Sequence, residues 1–200
     1  MNKALVELKN ISLLRNDKVI ISNMSLSLYN SSVINIFGHN GSGKTSLLKI
    51  LVGITEPTSG DVINNIEEQQ NDISYIGHKY GIKSNLTLNE NLLFGYSDTL
   101  NKQNAIDEMI SKYGMDKYRN YLTKYLSHGQ QKKVSLMRAN ISGAKIWVID
   151  EPYSALDNDT ITILDKSIHE HIINDGSVIM TNHKSINNKK YDVNNMQISK

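Results

Sequence analysis

Ser32-Val33-Ile34-Asn35-Ile36-Phe37-Gly38-His39-Asn40-Gly41-Ser42-Gly43-Lys44-Thr45 is the stretch that decides the fold class. A short β-branched run ends in a glycine-rich turn, and Leu47, Leu48 and Leu51 then recur at helical spacing over 45–52. The unit reads as strand, loop and helix, and residues 38–45 satisfy G-x-x-x-x-G-K-[ST] within it. Glycines let the backbone curl until successive N–H groups point inward at phosphate oxygens, and the helix N-terminus adds a field that favours an anion. Gly38, His39, Asn40, Gly41, Ser42, Gly43, Lys44 and Thr45 are therefore the candidate phosphate cradle. Lys44 can reach the β- and γ-phosphates, and the Thr45 hydroxyl can ligate Mg²⁺.

Upstream, Ala4 to Leu14 and Val19 to Leu28 carry β-rich apolar patterning broken at Asn16-Asp17, which predicts an antiparallel hairpin. Downstream, Thr58-Ser59-Gly60-Asp61 reads as a turn before a strand at Val62-Ile63, and Asp72 to Ile76 reads as another strand. From Leu88 to Tyr125 the apolar positions favour helices, and a further helix starts near Gly129. Ile146-Trp147-Val148-Ile149 has the unbroken apolar character of a strand buried on both faces. A helix over Thr160 to Ile173 and a strand at Ser177 to Met180 repeat the alternation. The expected fold is α/β: a mostly parallel sheet, an N-terminal antiparallel β element, and a helical subdomain at about 79–130 within one domain spanning 1–200.

Composition sets outer limits. Two hundred residues, 39% apolar and 21% charged, suit one globular domain, and a formal charge of +2 is too mild to argue for nucleic acid. The Lys132-Lys133 and Lys189-Lys190 pairs read as solvated faces. Without cysteine there is no disulfide framework, thiolate metal site or thiol nucleophile, which fits the cytosol. No apolar run approaches the length of a membrane span, so membrane contact is expected through partners only.

Asp150 and Glu151 follow the buried strand directly. Ligands in open α/β sheets bind at the carboxyl ends of strands, so Asp150 is placed to hold Mg²⁺ and Glu151 to polarise a water for in-line attack on a γ-phosphate.

Leu126-Ser127-His128-Gly129-Gln130, which precedes these carboxylates, resembles the LSGGQ signature of the ABC ATPase family, and the resemblance extends over essentially the whole chain. It implies that Ser127, Gly129 and Gln130 form a second anion site for ATP held by an opposite subunit in a head-to-tail dimer. Ser154-Ala155-Leu156-Asp157 resembles the family's D-loop, and His183 resembles its switch histidine. Two positions depart from the pattern. His78 stands where most members have a glutamine, and it either does similar work or merely ends a strand. Arg15 stands near the usual adenine-stacking aromatic, and it is either a stacking partner or a plain hairpin arginine.

The run Gly77 to Lys83, Asn89-Glu90-Asn91-Leu92 and LSHGQQKKV are similar to the CcmA branch of that family. This similarity implies an ATP- and Mg²⁺-dependent ATPase at the cytoplasmic face of the inner membrane, serving haem export in cytochrome c maturation with CcmB-like and CcmC-like membrane subunits. ATPase subunits for another cargo, and soluble ABC ATPases outside transport, remain the alternatives.

Overall fold

The computed structural model describes residues 3–66, 72–95 and 99–198. Strands β1 (Val6–Arg15) and β2 (Lys18–Leu28) form the expected hairpin. Asn16 and Asp17 turn it with φ of 48° and 57°, the left-handed pair that a two-residue hairpin loop needs. Strand β4 (Ser59–Asn64) joins the other side of β1, giving the antiparallel order β2-β1-β4. The turn expected at 58–61 is therefore mostly strand. Gly60, at φ 92°, marks a register shift opposite Lys9 to Ser12, where a Cβ would stand 2.5 Å from the Lys9 and Asn10 carbonyl oxygens. The glycine signal was real, but it belonged to a bulge rather than a turn.

The parallel sheet runs β5 (Ile73–Ile76), β6 (Ile146–Ile149), β7 (Ser177–Asn182), β3 (Val33–Phe37), β8 (Asn194–Gln197). Its side chains alternate between two cores, as a period of two requires. Ile34, Ile36, Ile146, Val148 and Ile179 pack with the antiparallel sheet and helix α1 (Lys44–Leu51). Val33, Trp147, Ile149, Val178 and Met180 pack against the helical side. Burying each such aliphatic side chain stabilises by roughly 1.5–3 kcal/mol, so the central strands are fixed in register from both faces. Strand β8 was not foreseen. Asn-Asn-Met-Gln has no apolar alternation, and the strand is held partly by polar contact, the Asn35 amide donating to Asn195 Oδ1 at 2.8 Å.

Among the described residues, the further α-helices are α2 (Leu88–Leu93), α3 (Thr99–Lys112), α4 (His128–Ser142) and α5 (Asn158–Ile173). Leu88, Leu92, Ile106, Ile110 and Met115 from the α2–α3 region are buried with Val134 and Met137 of α4. Capping boxes start α2 at Thr87 and Glu90 and α4 at Ser127 and Gln130, each side chain reaching the other's backbone N–H. Asn91 is fully buried and ties down the preceding loop: its Oδ1 accepts from Lys83 N at 2.7 Å, and its amide donates to the Lys83, Leu86 and Thr87 carbonyls. None of the described helices is long and apolar enough to cross a membrane.

Candidate active site

Strand β3 delivers the chain to the turn 38–43, and α1 begins at Lys44 with Gly43 as its N-cap at φ 100°. The Lys44 ammonium is held inside this loop, donating to Gly38 O at 2.7 Å and His39 O at 3.0 Å, with only 6% of the residue exposed. His39 turns back on the chain through Nδ1, 2.8 Å from Asn40 O. A cleft of about 380 Å³ lies over the loop, lined by Asn40, Gly41, Gly43, Lys44, Thr45 and Ser46, with Glu151 on one flank and Ile20 on the other. Ile20 is thus what the hairpin contributes to this cleft. Arg15 is exposed at the hairpin tip, paired in register with Lys18, and is not among the lining residues.

The end of β6 faces this loop across the sheet. Thr45 Oγ1 donates to Asp150 Oδ2 at 2.7 Å, and Thr181 Oγ1, from β7, donates to Asp150 Oδ1 at 2.5 Å. Both carboxylate oxygens are therefore aimed, and Asp150 is 8% exposed. Hard oxygen donors from Thr45 and Asp150 suit a small divalent cation that takes its other ligands from phosphate and water. Thr181 also accepts from Glu151 N at 2.9 Å, so one hydroxyl orients two adjacent acidic residues. The negative charge of Asp150 reaches Tyr75 on β5. Burial, reinforced by that charge, pushes the Tyr75 phenol up to about 12 and keeps it neutral.

Glu151 adopts φ 50°, a left-handed conformation uncommon for a side-chain-bearing residue. Its Oε1 lies 3.3 Å from His183 Nε2, an ion pair when the imidazole is protonated. The main chain around His183 is fixed from the interior by Asn35, which is fully buried on β3. Its amide donates to Lys184 O at 3.2 Å and its Oδ1 accepts from Asn182 Nδ2 at 2.8 Å. Asn40, Thr45, His78, Lys132, Asp150, Glu151, Ser154 and His183 share a cleft of about 310 Å³. His78 is exposed on the loop after β5 and belongs to this wall, rather than pointing away from the site.

The structure does not bring every candidate together. Ser127, Gly129 and Gln130 open α4 and line neither cleft. The Ser127 hydroxyl accepts from Gln130 N at 3.3 Å, while Gln130 Oε1 accepts from Ser127 N at 2.9 Å, so both act as caps within this chain. Gly129 has a clear packing reason. A Cβ there would stand 2.7 Å from Ala155 O, so only glycine lets α4 approach the turn after Glu151 this closely.

Lys132 overturns its expected role as a solvated charge. It is 1% exposed, and its ammonium donates to Glu151 O, to Ser154 O at 3.0 Å and to Ser154 Oγ at 2.7 Å. Burial pulls its pKa down to about 8, against the opposing pull of the Glu151 and Asp150 charges. A periodic signal marked it in the sequence: Lys132, Ser135, Leu136 and Ala139 fall on one helical face, and all four are buried. The sequence alone assigned Asn35 and Thr181 no role, and it read Lys132 as surface. Lys189 and Lys190 are exposed, as expected.

A family model described as ABC transporter matches residues 21–154. The cytochrome c biogenesis ATP-binding export protein CcmA of Histophilus somni is 34% identical over 194 residues, covering 92% of this chain and 89% of that protein. The protein of the same name from Yersinia pseudotuberculosis is 34% identical over 198 residues, covering 94% and 90%. Among solved structures, an ATP-binding subunit of an ABC transporter superposes with a TM-score of 0.80 at 20% identity, covering 90% of this chain and 79% of that one. An ATP-binding cassette in a dimeric post-hydrolysis state with ADP and Pi superposes with a TM-score of 0.77 at 22% identity, covering 90% and 88%. At these identities the structural likeness speaks to the fold.

Proposed function

We propose that this chain, which belongs to the ABC transporter family of ATP-binding subunits, hydrolyses Mg²⁺-ATP as one half of a head-to-tail dimer that drives haem export in cytochrome c maturation. The observation that carries the ATPase reading is the convergence of Thr45, Asp150, Thr181, Glu151 and His183 beside the 38–45 loop, at the carboxyl ends of three neighbouring strands. The loop's N–H groups and Lys44 bind the phosphates. Thr45 and Asp150 are the residues that would hold Mg²⁺, whose contribution when bound is to neutralise charge on the β- and γ-phosphate oxygens.

Glu151 accepts the proton of the attacking water, and the new P–O bond forms as the bond from the γ-phosphorus to the bridging oxygen of ADP breaks. The His183 contact with Glu151 supports a role in holding that carboxylate, and in this reading the imidazole also meets the γ-phosphate. His78 lines the same cleft and can orient the water through one ring nitrogen. Ser127, Gly129 and Gln130 line neither cleft of their own chain, which supports their service to the nucleotide of the second subunit.

The haem-export assignment rests on likeness to CcmA proteins over nine-tenths of the chain. It implies CcmB-like and CcmC-like membrane subunits and a peripheral position at the cytoplasmic face of the inner membrane. Affinity isolation of the tagged chain from native membranes tests both levels. Recovery of those membrane subunits together with phosphate release from Mg²⁺-ATP is the expected result. Recovery of a different permease would keep the ATPase and replace the cargo, and no phosphate release from the intact complex would overturn the reading.

A further inference from the structure

Three independent contacts fasten the first turns of α4 to the segment that follows the reacting carboxylate. Gly129 lies against Ala155 O, Lys132 holds the carbonyl oxygens of Glu151 and Ser154, and Lys133 Nζ lies 3.1 Å from Asp157 Oδ2. The fastened segment is conformationally unusual. Glu151 and Ala155 have φ of 50° and 59°, left-handed positions that persist only where the surroundings over-determine them. A buried lysine has three N–H bonds to satisfy. Lys132 finds three acceptors within this one turn, and Ser154 Oγ in turn donates to Glu151 O at 3.0 Å. An apolar residue would fill the same space without gripping the turn, so the cation is there for the carbonyls.

We infer that Lys132 is a positioning residue for hydrolysis: by holding the Glu151 and Ser154 carbonyls it aims the Glu151 carboxylate and ties that aim to the placement of helix α4. The inference rests on the ATPase reading of Glu151 and deepens it. Ser127 and Lys132 occupy the N-cap and the second turn of the same helix, so a displacement of α4 when Ser127 engages a phosphate moves Lys132 with it. The Glu151 main chain, held by that ammonium, follows. Each subunit thereby links the nucleotide it touches through α4 to the carboxylate that activates water at its own.

The test compares Lys132→Met and Lys132→Arg with the wild-type chain in its membrane complex. The Met variant keeps the length of the stem and loses all three donors, and a misplacement of about 1 Å at a reacting group lowers turnover by about 100-fold. The expected result for Met is therefore a kcat lower by about 10- to 100-fold, with KM for ATP and ATP affinity within about twofold of wild type. Arg, which keeps the donors, restores most of the rate.

Hydrogen exchange provides a readout that needs no turnover. In the Met variant the amides of 151–156 lose protection while those of 38–51 keep it. A Met variant with wild-type kcat overturns the inference, as does one that loses ATP affinity and protection across β3 and α1 in equal measure. A wild-type complex without turnover would defeat the ATPase reading instead, and exchange at 151–156 would still decide the role of Lys132.

Discussion

The loop before α1 and the turn before α4 both lead into helix N-termini that carry glycine, Gly43 as the cap of α1 and Gly129 in the first turn of α4, yet one is furnished within the chain and the other is not. Around the first, Lys44, Thr45, Asp150, Glu151 and His183 line two adjoining clefts that share Asn40, Thr45 and Glu151. Around the second, Ser127 and Gln130 cap each other and line neither cleft. Local motif is shared; what differs is whether the sheet supplies acidic and basic partners opposite the helix end. On the proposed reading, the first binds its nucleotide within one chain, and the second serves the nucleotide of a second subunit.

That contrast can be broken most forcefully at Glu151. Glu151→Gln keeps the cradle and removes the base, so phosphate release is expected to fall by about 10²- to 10⁴-fold while ATP still binds and holds the dimer together. Wild-type turnover in this variant would remove Glu151 from the chemistry. His78 sharpens the picture on the same wall. His78→Ala is expected to lower the maximal rate about tenfold, equivalent to ~1.4 kcal/mol of barrier, with ATP affinity unchanged. His78→Gln should recover most of it, and unchanged steady-state turnover in the Ala variant would place His78 outside the machinery.

Lys132 gives a pH signature. Burial holds its folded pKa at about 8, well below the ordinary lysine value of 10.5, so between those values the unfolded chain binds the extra proton and stability rises with pH. Denaturant titrations across about pH 8 to 10.5 should show this rise in wild type and lose it in Lys132→Met. A rise that survives the substitution would assign it to another group. Above about pH 10, Tyr75 acts in the opposite direction, because its phenol keeps its proton in the folded state up to about 12.

The smallest effect is expected at Asp157. Its Oδ1 caps α5 by accepting from Thr160 N at 2.8 Å, and the hydrogen bonds from Thr160, then Lys133, hold its carboxyl down at about 2. Asp157→Ala should cost about 1 kcal/mol of stability, read as a shift in denaturant midpoint. The lesion lies on the α4 side, so nucleotide binding by the 38–45 loop should be untouched.

The same contrast explains what was legible in the sequence. The loop 38–45 and the pair Asp150-Glu151 combine local chemistry with a local setting, strand before and helix after, so residue order alone located them. The parallel sheet followed from Ile146 to Ile149 and from Val178 to Met180, whose burial on both faces leaves an unbroken apolar run. Polar residues whose partners are distant in sequence were not legible. Asn35 works through Asn182 and Asn195, and strand β8 owes part of its hold to that contact rather than to its own pattern. Lys132 looked like surface because lysine usually is surface, although its helical phase with Ser135, Leu136 and Ala139 pointed inward. Gly60 announced irregular backbone without saying whether the chain turned or bulged.

The central claim, that Ser127 of one subunit completes the site built on Lys44 of the other, is tested most directly by mixing two inactive variants. Ser127→Arg places a bulky cation at the start of α4, and Lys44→Ala empties the phosphate cradle of its ammonium. In either homodimer both composite sites carry a lesion. In the mixed dimer both lesions fall on one site and the other is intact, so equal mixing of the two should restore about a quarter of wild-type turnover. A mixture as inactive as its parents, with mixed dimers demonstrably formed, would contradict the account.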